Sequence, residues 1–211
     1  KKANPCWANI GQEQLRNTQL SAKQTPADRT AFLTYHLNKW QTSTSSFLNI
    51  HALRKGYDKT LTPEMFKDYT CYVGCDMAVV DDMACVTQCF YVNDKLYVFP
   101  KYYLPMDTIT QSRNPLYQKW YDEGLLCGIP GPIIDSEVLY NDIVDIHSQY
   151  DVSQCVCDPC GDSGMLYLLQ SAGYNITLAD RGYKLSDPTK SFQKLLLPER
   201  VCYAAELFGW N

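Results

Sequence analysis

The spacing of apolar positions changes near residue 71. Upstream, Phe32, Leu33, His36, Leu37 and Trp40 recur three and four residues apart, which is the spacing of one helix face. Thr25-Pro26 supplies a cap followed by a proline at the first helical position. Residues 1–46 therefore read as helical, closed by the polar stretch 41–46, which has the composition of a linker. A further short helix is expected after Thr62-Pro63.

From Cys71 onward strand patterns dominate. Residues 71–76 form a short apolar run that ends in an acid, Asp76. Runs 83–92 and 96–104 are rich in β-formers and are joined by Asn93-Asp94-Lys95, a hairpin turn. Residues 115–124 read as a helix stopped by Gly124. Leu139, Ile143, Ile146 and Tyr150 give an amphipathic helix after Asp135-Ser136. Residues 152–157 then form a buried strand that ends at Asp158. Asp162 or Ser163 caps a helix through Met165, Leu168, Leu169 and Ala172, and Gly173 closes it. A strand at 176–179 and a helix opened by Ser186-Asp187-Pro188, with Phe192, Leu195 and Leu196 on one face, complete the order. A β-meander followed by alternating strands and helices implies an α/β domain, a mixed sheet with helices on its faces.

Composition narrows the functional classes. The chain has 211 residues, 45% apolar and 20% charged, with a formal charge of -4, the profile of an ordinary globular protein. No run approaches the ~18 apolar residues of a membrane span, and Lys1-Lys2 precedes no hydrophobic segment, so neither an anchor nor a secretory signal is expected. The mild acidity argues against nucleic-acid binding by bulk positive charge, but leaves room for a local basic face or metal-mediated contact with phosphate. Ten cysteines in 211 residues fall well below the ~8–10% of disulfide scaffolds. Cys71, Cys75, Cys85, Cys89, Cys155 and Cys157 lie within apolar runs and read as reduced, buried thiols of a cytosolic chain.

Two strand-end acids carry the sharpest chemical signal. Asp76 and Asp158 each close a candidate central strand, and neighbouring parallel strands would bring them together. Such oxygen donors suit Mg²⁺ or Mn²⁺, and a pair of these ions can clamp both oxygens of a phosphodiester displacement. The plainer reading is that each acid satisfies a loop or a helix N-terminus. Asp81 and Asp82 sit in the following turn, where turn chemistry is one role and, for Asp82, support of the Asp76 site is another.

Cys157-Asp158-Pro159-Cys160 is a C-x-x-C between strand and helix, the place of a thioredoxin-like redox motif, with Pro198 as a possible partner proline. No second C-x-x-C exists to build a zinc ribbon. His36, His51 and His147 share no ligand spacing, and neither a P-loop nor a G-x-S-x-G motif is present. Arg181, Lys184, Lys190, Lys194 and Arg200 concentrate positive charge near the end of the chain. Lys190 and Lys194 share a helix face able to contact phosphate or simply to face water.

Taken together, several segments resemble the nuclease domain of tailed-bacteriophage terminase large subunits, the DNA-packaging motor. They are Phe32-Leu33-Thr34-Tyr35-His36-Leu37-Asn38-Lys39-Trp40, Tyr72-Val73-Gly74-Cys75-Asp76-Met77-Ala78 with Asp82, Gly124-Leu125-Leu126, Ile134-Asp135, Cys157-Asp158, Ser186-Asp187-Pro188-Thr189-Lys190 and Leu207-Phe208-Gly209-Trp210-Asn211. The resemblance covers nearly the whole chain in register. It implies an RNase H-like fold with an N-terminal helical extension. Residues 1–46 would be the tail of the junction to an ATPase domain, and 47–211 the endonuclease domain. It also implies Mg²⁺- or Mn²⁺-dependent two-metal cleavage of concatemeric double-stranded DNA during genome packaging, in the host cytoplasm. Asp76 and Asp158 map onto the first and second catalytic, metal-holding acids, Asp82 onto a supporting acid, and Asp135 onto a recurrent position whose work here is helix capping. Lys190 and Lys194 would meet DNA. The ATPase domain, the portal and the small terminase subunit would be partners in the full motor, and no membrane is involved. The family's third acid lies on a helix beyond the matched region, and Glu206 would replace it poorly, so the chain is expected to hold only part of the metal cage. A non-catalytic docking fragment of the motor and, further off, a C-x-x-C redox protein are the alternatives.

Overall fold

The computed structural model describes residues 12–22, 26–37, 39, 50–78, 82–158, 163–196 and 198–204. The chain divides into two compact units, Lys1–Ile50 and His51–Asn211. In the first, helices α1 (Gln12–Ser21) and α2 (Pro26–Leu37) pack together. Helix α2 starts at the expected proline, and Phe32 and His36 stack one turn apart at 5.3 Å between ring centres. Thr25, Trp40, the 41–46 stretch and 207–211 lie outside the described residues, as do Asp81, Cys160, Asp162 and Glu206.

A short helix, α3 (Ile50–Lys55), stands at the division, and Pro63–Phe66 forms a 3₁₀ turn where a short helix was expected. Strands β1 (Cys71–Asp76), β2 (Ala84–Val92) and β3 (Lys95–Pro105) then make the antiparallel meander. The β2–β3 turn contains two residues rather than three. Asn93 and Asp94 both take positive φ, 50° and 64°, and Lys95 already pairs with Val92. Two successive left-handed residues form the turn whose twist matches a hairpin, and Asn and Asp tolerate that conformation best after glycine.

Helices α4 (Met106–Gln111) and α5 (Pro115–Asp122) follow, and β4 (Leu126–Ile129) pairs parallel with the end of β3. Asn114 caps α5 by accepting from the Leu116 amide at 3.1 Å, and Gly124 stops the segment at φ 72°. Helix α6 (Ser136–Gln149) is capped by Asp135, which accepts from the Glu137 amide at 3.0 Å, the role its sequence position implies. Strand β5 (Val152–Cys157), helix α7 (Ser163–Ser171), strand β6 (Ile176–Leu178), helix α8 (Ser186–Leu196) and strand β7 (Val201–Tyr203) complete the unit. Among the described residues one seven-stranded sheet runs β4-β3-β2-β1-β5-β6, with β7 beside β3. β5 and β6 run parallel to β1, as expected of the alternating half.

Strand alternation places the core on one sheet face. Cys71, Val73 and Cys75 of β1 and Cys155 and Cys157 of β5 point inward with Val86 and Phe90 of β2. They meet Leu139 and Ile143 of α6 and Leu166 and Leu169 of α7. Burying each such aliphatic side chain is worth roughly 1.5–3 kcal/mol. The Tyr103 hydroxyl donates to the Asp142 carboxylate, fastening α6 to β3. A second cluster, Leu104, Ile109, Trp120 and Leu126, packs α4 and α5 against the β3–β4 edge. The described free cysteines include all six assigned to apolar runs. Cys71, Cys75, Cys155 and Cys157 are buried, and Cys85 and Cys89 are partly so. Among the described residues no helix is long and apolar enough to cross a membrane.

Candidate active site

Asp76 and Asp158 come together because β1 and β5 are adjacent and parallel. Cys75 lies opposite Cys157, and the Asp158 amide donates to the Cys75 carbonyl at 2.9 Å. Both chains therefore leave the sheet at one level, each with an aspartate at its end. With Cys75 directed into the core, alternation turns Asp76 toward the other sheet face, where it is exposed. Gly74 occupies the preceding position on that face, and a Cβ built there would meet nothing within 4 Å.

The electrostatics fit a cation at this point. Burial, then the charges of Asp158 and Asp82, hold the Asp76 carboxyl above its ordinary value. Like charges gathered at one strand end, all on oxygen donors, suit a hard divalent ion. Asp82 also accepts from the Met83 amide at 2.9 Å, so it performs turn chemistry while facing Asp76 electrostatically. Cys85, opposite Asp76 on β2, is pushed upward by burial first and also by the Asp76 charge. Among the described residues no group of three or more Asp, Glu, His and Cys side chains is close enough to form a complete metal cage. Asp76 and Asp158 bring two carboxylates together, one donor residue short of such a group.

Sequence reading missed the cation already beside this pair. Arg181, counted only as one member of a basic stretch, places Nη2 2.8 Å from Asp158 Oδ1. The neighbouring acid, Asp180, pairs with Lys184 at 3.4 Å. No local pattern reveals the Arg181 contact, because it depends on β6 pairing with β5: the Ala179 amide donates to the Cys157 carbonyl at 2.8 Å. Lys190 and Lys194 both lie on α8, as expected, and Lys190 stands 4.0 Å from Asp187 on the same helix.

The thiols behind the acids form a separate, dry cluster. Cys155 and Cys157 sulfurs stand 3.7 Å apart, and hydrogen bonding to Cys157, then burial, pushes both Cys75 and Cys155 well above the usual thiol range. A redox C-x-x-C needs an accessible first thiol. Hydrogen bonds from Cys155 and Cys75 lower the Cys157 thiol to about 4, but Cys157 is fully buried against this cluster, which argues against the redox alternative; Cys160 lies outside the described residues. His147, expected as a packed or surface residue, is partly buried on α6 with its ring 4.1 Å from that of Tyr174.

Comparison with known proteins adds the family. Protein YmfN of Escherichia coli (strain K12) is 27% identical over 210 residues, which cover 92% of this chain and 46% of that protein. The terminase large subunit of Enterobacteria phage HK97 is 23% identical over 208 residues, covering 94% of this chain and 40% of the phage protein. The crystal structure of the HK97 bacteriophage large terminase matches at TM-score 0.62 and 21% identity, over 92% of this chain and 41% of that one. This likeness shows a shared fold, the RNase H-like mixed sheet flanked by helices. The chain spans less than half the length of these relatives. The model for "Terminase large subunit, endonuclease domain" matches residues 2–211. With a match running almost from one end to the other, this chain belongs to the terminase large subunit endonuclease domain family.

Proposed function

We propose that the chain is a divalent-metal-dependent endonuclease unit that cuts concatemeric double-stranded DNA during phage genome packaging. The observation that carries this reading is the juxtaposition of Asp76 and Asp158 at the ends of adjacent parallel strands, with the Asp76 carboxyl raised by burial and then by the neighbouring negative charges. Asp76 and Asp158 would hold Mg²⁺ or Mn²⁺, and Asp82 would support Asp76. When bound, a pair of such ions supplies Lewis-acid stabilisation for in-line hydrolysis of the phosphodiester.

The chain's own residues do the rest. The β1–β5 hydrogen bond fixes the backbone positions from which the two carboxylates project, which limits the reorganisation needed when substrate arrives. Gly74, with no side chain and no neighbour within 4 Å of where a Cβ would stand, would leave room for a phosphate on the Asp76 face. Lys190 and Lys194 on α8 would meet backbone phosphates and orient the DNA without reading its sequence. In the full motor the endonuclease unit would work with an ATPase domain, to which residues 1–46 would lead, and with the portal and the small terminase subunit in the host cytoplasm.

The test is nicking of supercoiled plasmid with Mn²⁺ against EDTA, for the wild-type chain and Asp76→Asn. The expected result is metal-dependent nicking that falls by about 100-fold or more in the variant, with an unchanged circular dichroism spectrum. Nicking retained by Asp76→Asn would contradict the assignment. A chain that binds its motor partners but never nicks would instead be the docking fragment.

A further inference from the structure

The contact between Arg181 and Asp158 has a consequence for how the site is loaded, and the inference rests on the proposed reading of Asp158 as a cation-holding acid. β6 ends at Leu178, level with Cys157 of β5, so the chain leaves the sheet next to the point where Asp158 leaves it. Three residues past Leu178, Arg181 reaches back to Asp158 Oδ1 at 2.8 Å. The two side chains are 55% and 39% exposed. An ion pair this open to water is held weakly and exchanges readily.

Two chemical facts give that exchange a direction. A divalent cation and a guanidinium both need the carboxylate's lone pairs, so they compete for the oxygen that Arg181 holds. The planar guanidinium fork also matches phosphate as well as it matches carboxylate, so once released it has a natural partner in DNA. We propose that Arg181 is an exchangeable counter-ion, which neutralises Asp158 while the site lacks a divalent cation and moves to a DNA phosphate when cation and duplex arrive. It thereby couples metal loading to DNA binding. A bare acid pair would repel DNA, whereas the loaded site offers both a cation and a freed arginine.

The experiment compares the 211-residue chain with Arg181→Gln, Arg181→Lys and Lys184→Gln. Lys184 carries a charge one turn away but pairs with Asp180. Calorimetry with Mn²⁺ alone should show Arg181→Gln binding about 2- to 5-fold more tightly than wild type, the range expected for loss of an exposed competing ion pair. Arg181→Lys should fall between the two, and Lys184→Gln should match wild type. Fluorescence anisotropy with a short duplex should show Arg181→Gln binding more weakly than wild type in Ca²⁺, with a smaller loss in EDTA, where wild-type Arg181 only neutralises Asp158.

Equal Mn²⁺ affinity in wild type and Arg181→Gln overturns the inference. So does an equal gain in Lys184→Gln, which would mark a general field effect, or a loss of DNA affinity as large in EDTA as in Ca²⁺. Wild-type Mn²⁺ binding that Asp76→Asn abolishes but Arg181→Gln leaves unchanged defeats the counter-ion role alone. No Mn²⁺ binding by the wild-type chain defeats the proposed function and the counter-ion role with it.

Discussion

The amide of Asp158 donates to the carbonyl of Cys75 at 2.9 Å, and that bond sets Asp158 beside Asp76. Two features produce it: the apolar alternation that pairs Val73 with Cys155 and Cys75 with Cys157, and the absence of any residue between those strands and their terminal acids. The acid pair is thus built into the ladder rather than carried on a loop, which keeps it in place without a ligand.

Burial, and after it the charges of Asp158 and Asp82, has an energetic consequence at Asp76. Its folded-state carboxyl binds a proton more readily than its unfolded one, so ionisation costs stability above the ordinary value of 3.8, and that cost fades as pH falls through the raised folded value. Asp76→Asn should therefore raise the Tm in EDTA at pH 7 by about 1–3 °C, a small gain because solvent screens the partly exposed carboxyl. The gain should shrink as pH falls toward 4. Thermal melts by circular dichroism across that range measure it.

His147 predicts the opposite pH trend. Burial alone lowers its pKa from 6.5, and its Nε2 is buried with no partner. The unfolded chain binds that proton more readily, so stability is complete above 6.5 and declines as pH falls below it. Urea unfolding at pH 5.5 and 7.5 should show a loss in wild type that is smaller in His147→Gln. An equal loss in both would place the titration elsewhere.

At Gly56 the prediction concerns packing. A Cβ there would collide with the Val201 carbonyl, while the Gly56 carbonyl accepts from the Tyr203 amide at 2.9 Å and Tyr57 bridges to Tyr203. Gly56→Ala should destabilise by about 1–3 kcal/mol through overpacking against backbone that cannot yield without disturbing β7. The urea midpoint measures the change, and an unchanged midpoint would mean that β7 moves aside freely.

For DNA binding the informative variable is salt. If Lys190 and Lys194 each neutralise a phosphate, replacing both with alanine should lower the slope of log affinity against log salt by about 1–2. Anisotropy at several salt concentrations in Ca²⁺ measures it. An unchanged slope would make α8 a solvated face.

Much of this architecture was legible before the fold was seen. The meander, the helix that starts at Pro115, the cap at Asp135, the stop at Gly124 and the strand-end acids all follow from local chemistry. Strands β4 and β7 were not legible, because four and three residues at a sheet edge are too few to show a period. The hairpin was read one residue too long because Lys95 is polar, yet it pairs with Val92. Arg181 was visible as a charge but not as a partner of Asp158, since only the β5–β6 pairing brings residues so far apart in sequence into contact. The thiol cluster behind the acids depends likewise on which strands are neighbours.

Calorimetric titration of Mn²⁺ into the wild-type chain and into the Asp76→Asn, Asp158→Asn double variant tests the central claim most directly. It reads the acid pair itself, independently of whether this chain completes a cutting site. The account predicts saturable binding to the wild-type chain that disappears in the double variant while the fold, followed by circular dichroism, persists. Binding of equal strength to both, or none to the wild-type chain, would contradict it.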